Sequence, residues 1–180
     1  ETDGFEFDAD RSRAWQYRDW VIEALNRDLT FDVFVQQQIA GDLLPGGEAV
    51  ATGFLFTCPD MPDLNNQDER RHILLNDITT TVGSVGLGLT VGCAQCHDHP
   101  YDPVSQADFY RLRAFFDNTI ITKNGKQIGP SVRVFTEGVP ASTVFVRGDI
   151  KRPGRQIEPA FPRMFGSSET KPDRVALAKW

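Results

Sequence analysis

Apolar residues first recur at helical spacing between Ser12 and Asn26. Ala14, Tyr17, Val21 and Leu25 share a face with Trp15 and Ile22, while Arg13, Arg18, Asp19 and Glu23 take the other side. That pattern predicts an amphipathic helix over 12–26. Thr30 is placed to cap a second helix with the stripe Phe31, Phe34, Val35 and Ile39, and the run Gly41 to Gly47, with Pro45 inside it, ends that helix. A short helix over 48–56 comes next, then a loop over 57–65 with two prolines and Met61. Asn66, three residues before Glu69, makes a capping-box start ahead of Ile73, Leu74, Ile78 and Val82. Glycines at 83, 86, 88 and 92 loosen the end of that helix, and would let either a flat ligand or a second helix approach the backbone.

Ser105 and Asp108 repeat the capping pattern before Phe109, Leu112, Phe115 and Phe116. The helix this predicts, Ser105 to Asn118, carries an apolar face suited first to core packing and second to shielding one edge of a ligand. Beyond Asn118 the helical period is lost. Asn124-Gly125 suggests a turn, Val132 to Phe135 and Thr143 to Val146 are short β-like runs, and Gly148 to Phe165 is rich in proline, glycine and arginine. The expected fold is mainly α. A small helical domain over 1–118 has an irregular loop between its last two helices, a connector of loops and short β strands spans 119–170, and a following helical domain begins at 171–180.

A formal charge of −6 and a pI near 5.0 over 180 residues argue against a nucleic-acid surface. The longest apolar run, Val82 to Val91, is too short and too rich in glycine to span a bilayer. With no initiator Met or signal peptide at its start, and its end inside the helical pattern of Asp173 to Trp180, the sequence reads as an internal fragment.

The chemistry concentrates in the loop, at Cys93-Ala94-Gln95-Cys96-His97-Asp98-His99, which takes in two of the three cysteines and two of the three histidines. Cys-x-x-Cys-His is the spacing at which two thiols bond the vinyl carbons of a haem while the adjacent imidazole ligates its iron. Three other occupants fit the same residues. They are a zinc or iron ion held by Cys93, Cys96, His97 or His99, a Cys93/Cys96 dithiol-disulfide pair, and a turn whose cysteines only pack. For haem, the second axial position would fall to His72, Met61 or Met164, or stay open; His72 is the first choice although it also suits a solvated helix rim. His99 is too close to His97 to reach the opposite face. It is better placed to hydrogen-bond Asp98, Asp102 or a propionate, so His99, Asp98 and Asp102 form the supporting shell. Cys58 reads as a small, partly buried side chain. Arg147, Lys151, Arg152 and Arg155 read as a solvated turn, with contact to propionates or to an acidic redox partner as the second choice. No distal acid-base pair marks a catalyst, so an electron-transfer domain is expected rather than an enzyme.

Taken together, Trp15 to Gly46, Gly86 to Asn118 and, more loosely, Thr143 to Pro159 resemble the planctomycete cytochrome-C-like family, large secreted proteins whose central domain has no assigned activity. The segment Cys93 to Pro103, which reads CxxCHDHxYDP, is the most specific part of the match, and Pro100 stands where the family often has lysine. Arg174 to Trp180 looks like the entry to the family's usual companion domain. The resemblance implies a haem c and a periplasmic, secreted or cell-surface location, with a redox partner protein or adjacent domains of the full-length chain as partners. The alternative is a non-redox binding or structural module of a large surface protein, with zinc or a disulfide holding the CxxCH turn.

Overall fold

Trp20 organises the N-terminal helices. It lies on α1 (Ala14–Asn26), buried with Ala24 against Ala51, and Tyr17, Val21, Leu29, Phe34 and Val50 pack around that centre. The rings of Tyr17, Trp20 and Phe34 stack in sequence, with centroids 6.3 and 5.4 Å apart. This rotates the buried face away from the expected stripe. Leu25 is 66 % exposed, and Trp15 and Ile22 are also exposed, because burial of the wide indole removes more apolar area from water than burial of Leu25. α2 (Phe31–Ala40) follows Thr30, which has the extended backbone of an N-cap. Its hydroxyl bonds the Asp32 carboxylate, holding that group below the usual carboxylate range, and does not cap the helix amides. The short helix expected over 48–56 is a 3-10 helix, Ala49–Phe56, with Ala51, Thr52, Gly53, Leu55 and Phe56 buried.

The structure, a computed structural model, describes residues 10–57, 66–120, 122–123, 126–127, 133–134, 141–166 and 174–179. Cys58 and Met61 lie outside the described residues. The chain forms two compact units, the first of Glu1–Leu74, Thr119–Val134 and Arg174–Trp180, the second of Leu75–Asn118 and Phe135–Asp173. The first unit contains the helices above, the start of α3 (Gln67–Thr81), two small strand pairs and α5 (Arg174–Lys179). In it, Arg174 is ion-paired with Asp42, and both groups are almost wholly buried.

α3 (Gln67–Thr81) begins where expected, with the Asn66 carboxamide oxygen accepting from the amides of Asp68 and Glu69 at 3.1 and 3.3 Å. In the second unit α3 widens into one π-helical turn, Val82–Gly86. Two of the four glycines serve chain packing there: a Cβ on Gly83 would lie 2.4 Å from Val91 Cγ2, and one on Gly92 would lie 3.0 Å from Thr80 Cγ2. Gly86 and Gly88 face open space.

α4 (Gln106–Arg113) carries the complete capping box. The Ser105 hydroxyl accepts from the Asp108 amide, and the Asp108 carboxylate accepts from the Ser105 amide. The helix ends at Arg113 and does not continue to Asn118. The chain then tightens into turns, with Phe115 and Phe116 bonded back to Leu112 and Arg113, and this keeps both phenylalanines buried without further helix. Phe109 and Leu112 are fully buried too, so the whole apolar face belongs to the core.

The tail has the short strands expected of it. β1 (Thr119–Ile120) pairs with β4 (Arg133–Val134), and β2 (Thr122–Lys123) with β3 (Lys126–Gln127), all antiparallel. The expected Asn124-Gly125 turn lies outside the described residues. β5 (Thr143–Phe145) pairs with β6 (Pro153–Gln156), a strand within a stretch that the sequence marks as loop. Proline is tolerated there because it opens a fully exposed edge strand. The fold is mainly helical with a loop-rich tail of short strands.

Candidate functional site

The Cys-x-x-Cys segment starts inside a 3-10 helix, Val91–Gln95, and the Cys96 amide closes it by donating to the Cys93 carbonyl at 3.4 Å. In a 3-10 turn, side chains three residues apart eclipse one another. That geometry puts Cys93 and Cys96 on one side, where both thiols are exposed and unpaired. Val91 and Ala94 are buried and seat the turn on the protein.

Three side chains fasten the turn to α4 and to α3. Tyr110 Oη donates to the Gln95 carbonyl at 3.1 Å, and Gln106 Nε2 donates to the carbonyls of Gln95 (3.0 Å) and Phe145 (2.9 Å). Asn76 Nδ2 donates to Gln95 Oε1 at 3.2 Å, and Arg113 reaches the Asn76 oxygen at 3.3 Å. Burial pushes the Tyr110 phenol up to about 12, the Arg113 charge opposing and Cys96 adding to the shift. None of these four positions stood out in the sequence. Gln106 and Tyr110 sit four apart on α4, a spacing shared by ordinary core residues.

His97 is exposed, and its Nδ1 lies 2.8 Å from the Asp98 carbonyl oxygen. A carbonyl only accepts, so Nδ1 carries the proton and Nε2 presents a lone pair. The Asp98 carboxylate turns the other way and accepts the Gln106 amide at 2.7 Å, binding the loop to the first turn of α4. His99 is 7 % exposed at its side chain and is used within the loop. Its Nδ1 accepts the amides of Asp102 (2.8 Å) and Tyr101 (3.3 Å), which puts its proton on Nε2, 3.3 Å from Thr90 Oγ1. The Thr90 hydroxyl in turn donates to Asp102 Oδ2 at 3.3 Å. The 3.5 Å approach of His99 Nδ1 to the Asp102 carboxylate is therefore not an ion pair, since Nδ1 is occupied as an acceptor.

The structure thus brings Cys93, Cys96, His97, Asp98, His99 and Asp102 together on one loop of the second unit. His72 belongs to the first unit; it is buried on α3, not on a solvated rim. Met164 is 41 % exposed.

Residues 1–120 of the 180 match the family described as PSCyt2, protein of unknown function (DUF1549). The chain belongs to the PSCyt2 family. The matched part includes α1 to α4 and the entire CxxCH loop, while the β5–β6 hairpin that meets this loop lies outside it. No curated protein and no solved structure matches the chain. Among the described residues of this PSCyt2 chain, no three His, Cys, Asp or Glu side chains converge as a metal-holding group, and no helix is long and apolar enough to cross a membrane.

The donor set fits a haem c. Attachment requires two reduced, accessible thiols on one face and an imidazole with an available nitrogen, and the turn presents both. A backbone carbonyl on the far nitrogen of the imidazole is the support that iron- and zinc-bound histidines use. A structural zinc site instead needs four donors around a point.

Proposed function

We propose that this domain binds one haem c covalently and passes single electrons outside the cytoplasm, to a redox partner protein or to adjacent domains of its full-length chain. Cys93 and Cys96 provide the two thioether sulfurs, and His97 Nε2 the proximal nitrogen. The bound group would supply an iron that cycles between two oxidation states. The protein's part is to hold the thiols eclipsed, fix the imidazole tautomer through the Asp98 carbonyl, and keep the loop rigid through His99, Thr90 and Asp102. Rigidity favours electron transfer, because a site that moves little has little to reorganise.

The observation that carries this reading is the Cys93–Cys96 turn, with both cysteines exposed and unpaired and followed directly in the chain by His97, whose Nδ1 is held 2.8 Å from the Asp98 carbonyl oxygen. Metal analysis of protein made together with haem-c attachment machinery separates haem from zinc. One iron per chain with a haem spectrum is expected, and one zinc with no iron would replace the reading with a structural zinc module.

A further inference from the structure

The hairpin β5–β6 turns over the CxxCH loop at Arg147 and Gly148, two consecutive residues with positive φ, 56° and 74°. Gly148 faces Cys96. A Cβ built on it would stand 2.8 Å from Cys96 Sγ, 3.4 Å from the Gln95 carbonyl oxygen and 3.8 Å from Cys96 Cα. The hairpin cannot retreat easily, because Gln106 Nε2 bridges the Gln95 and Phe145 carbonyls and so ties β5 to the loop. The Phe145 ring also meets Tyr110 edge-on, with centroids 5.8 Å apart.

We propose that Gly148 is a positioning residue for haem attachment: its missing side chain leaves the space in which the Cys96 thiol stays eclipsed with Cys93. This rests on the haem reading above. In each attachment the thiol adds across one vinyl C=C of the haem. Sγ bonds the inner carbon, the thiol hydrogen goes to the outer carbon, the π bond is consumed and nothing leaves. The addition is redox-neutral and needs only the reduced thiols and a vinyl-bearing haem. It also needs both sulfurs at their vinyl groups, so a methyl group at position 148 that displaces Cys96 Sγ blocks the second bond and spares the first.

Gly148→Ala combines that clash with the cost of a positive φ. Gly88→Ala is the control: Gly88 also has positive φ, 65°, and no neighbour lies within 4 Å of its Cβ position. Gly148→Asn keeps the Cβ at a lower backbone cost, so it tests the same clash should the alanine variant fold poorly. Each protein is made with the attachment machinery, denatured, alkylated and mapped by peptide mass. Wild type and Gly88→Ala should have both cysteines in thioethers. The Gly148 variants should have one, at Cys93, with Cys96 alkylated. Two thioethers in Gly148→Ala or Gly148→Asn, at the yield of Gly88→Ala, would overturn the proposal. On the haem-free proteins the Gly148 changes should alter the alkylation rate of Cys96 several-fold against Cys93, and Gly88→Ala should not. Unchanged rates count against the proposal in the same way. A wild type that takes up no haem would refute the haem reading, and the alkylation rates would then judge the role of Gly148 by themselves.

Discussion

Asp108 shows how one side chain serves several parts of the second unit. Burial works against its charge, but hydrogen bonds from the Ser105 hydroxyl and amide, the Arg163 amide and Arg111 outweigh that, so its carboxyl stays below the usual range. Its oxygens receive Ser105 Oγ at 2.6 Å, Arg111 at 3.0 Å and Arg163 Nε at 3.3 Å. Replacing it removes a helix cap and leaves several donors unpaired. Asp108→Ala should cost about 2–3 kcal/mol in urea unfolding, and a loss under about 0.5 kcal/mol would show that these bonds contribute nothing net. Because the folded-state pKa is depressed, this stabilisation is present above the unfolded value of about 3.9 and is lost as pH falls through the lower folded value.

Among the elements, the helix starts were legible and the packing between elements was not. Asn66 with Glu69 and Ser105 with Asp108 announce their helices because capping is local chemistry. The buried face of α1 was misplaced because Trp20 competes with Leu25 for the interior, and which one wins depends on Phe34 and Ala51 from other elements. β6 was hidden by Pro153 and by a strand with no buried side, so it lacks any alternating pattern. The glycines near the end of α3 allowed two uses, and only the position of Val91 decides between them. Gly83→Ala would drive a methyl group into Val91 and should cost about 1–3 kcal/mol, while Gly86→Ala meets no neighbour and should be within about 0.5 kcal/mol of wild type. Equal thermal stabilities for the two variants would contradict the close packing of the π turn on Val91.

For the whole molecule, the two units each hold one phenol away from water. Burial pushes both Tyr17, in the first unit, and Tyr110, in the second, up to about 12. Above pH about 10 the unfolded chain loses these protons while the folded chain retains them, so stability falls as pH rises from about 10 towards 12. Phenolate absorbance followed with pH should therefore show two of the three tyrosines ionising late or together with unfolding, and early ionisation of all three would contradict the burial of both rings. Within the candidate site, the local turn is what the sequence makes legible, because Cys93 and Cys96 lie three residues apart and a 3-10 turn converts that spacing directly into a shared side. The distant supports of the turn, Gln106, Tyr110, Asn76 and Gly148, were silent, because tertiary contacts between distant positions leave no periodic trace.

The central claim is that Cys93 and Cys96 carry a haem by covalent bonds. Protein made with haem-c attachment machinery is run on a denaturing gel, stained for haem, beside Cys93→Ala/Cys96→Ala protein from the same conditions. Colour that travels with the wild-type polypeptide and is absent from the double variant is the predicted result. A colourless wild-type band, with folded polypeptide present in the same preparation, would contradict the account.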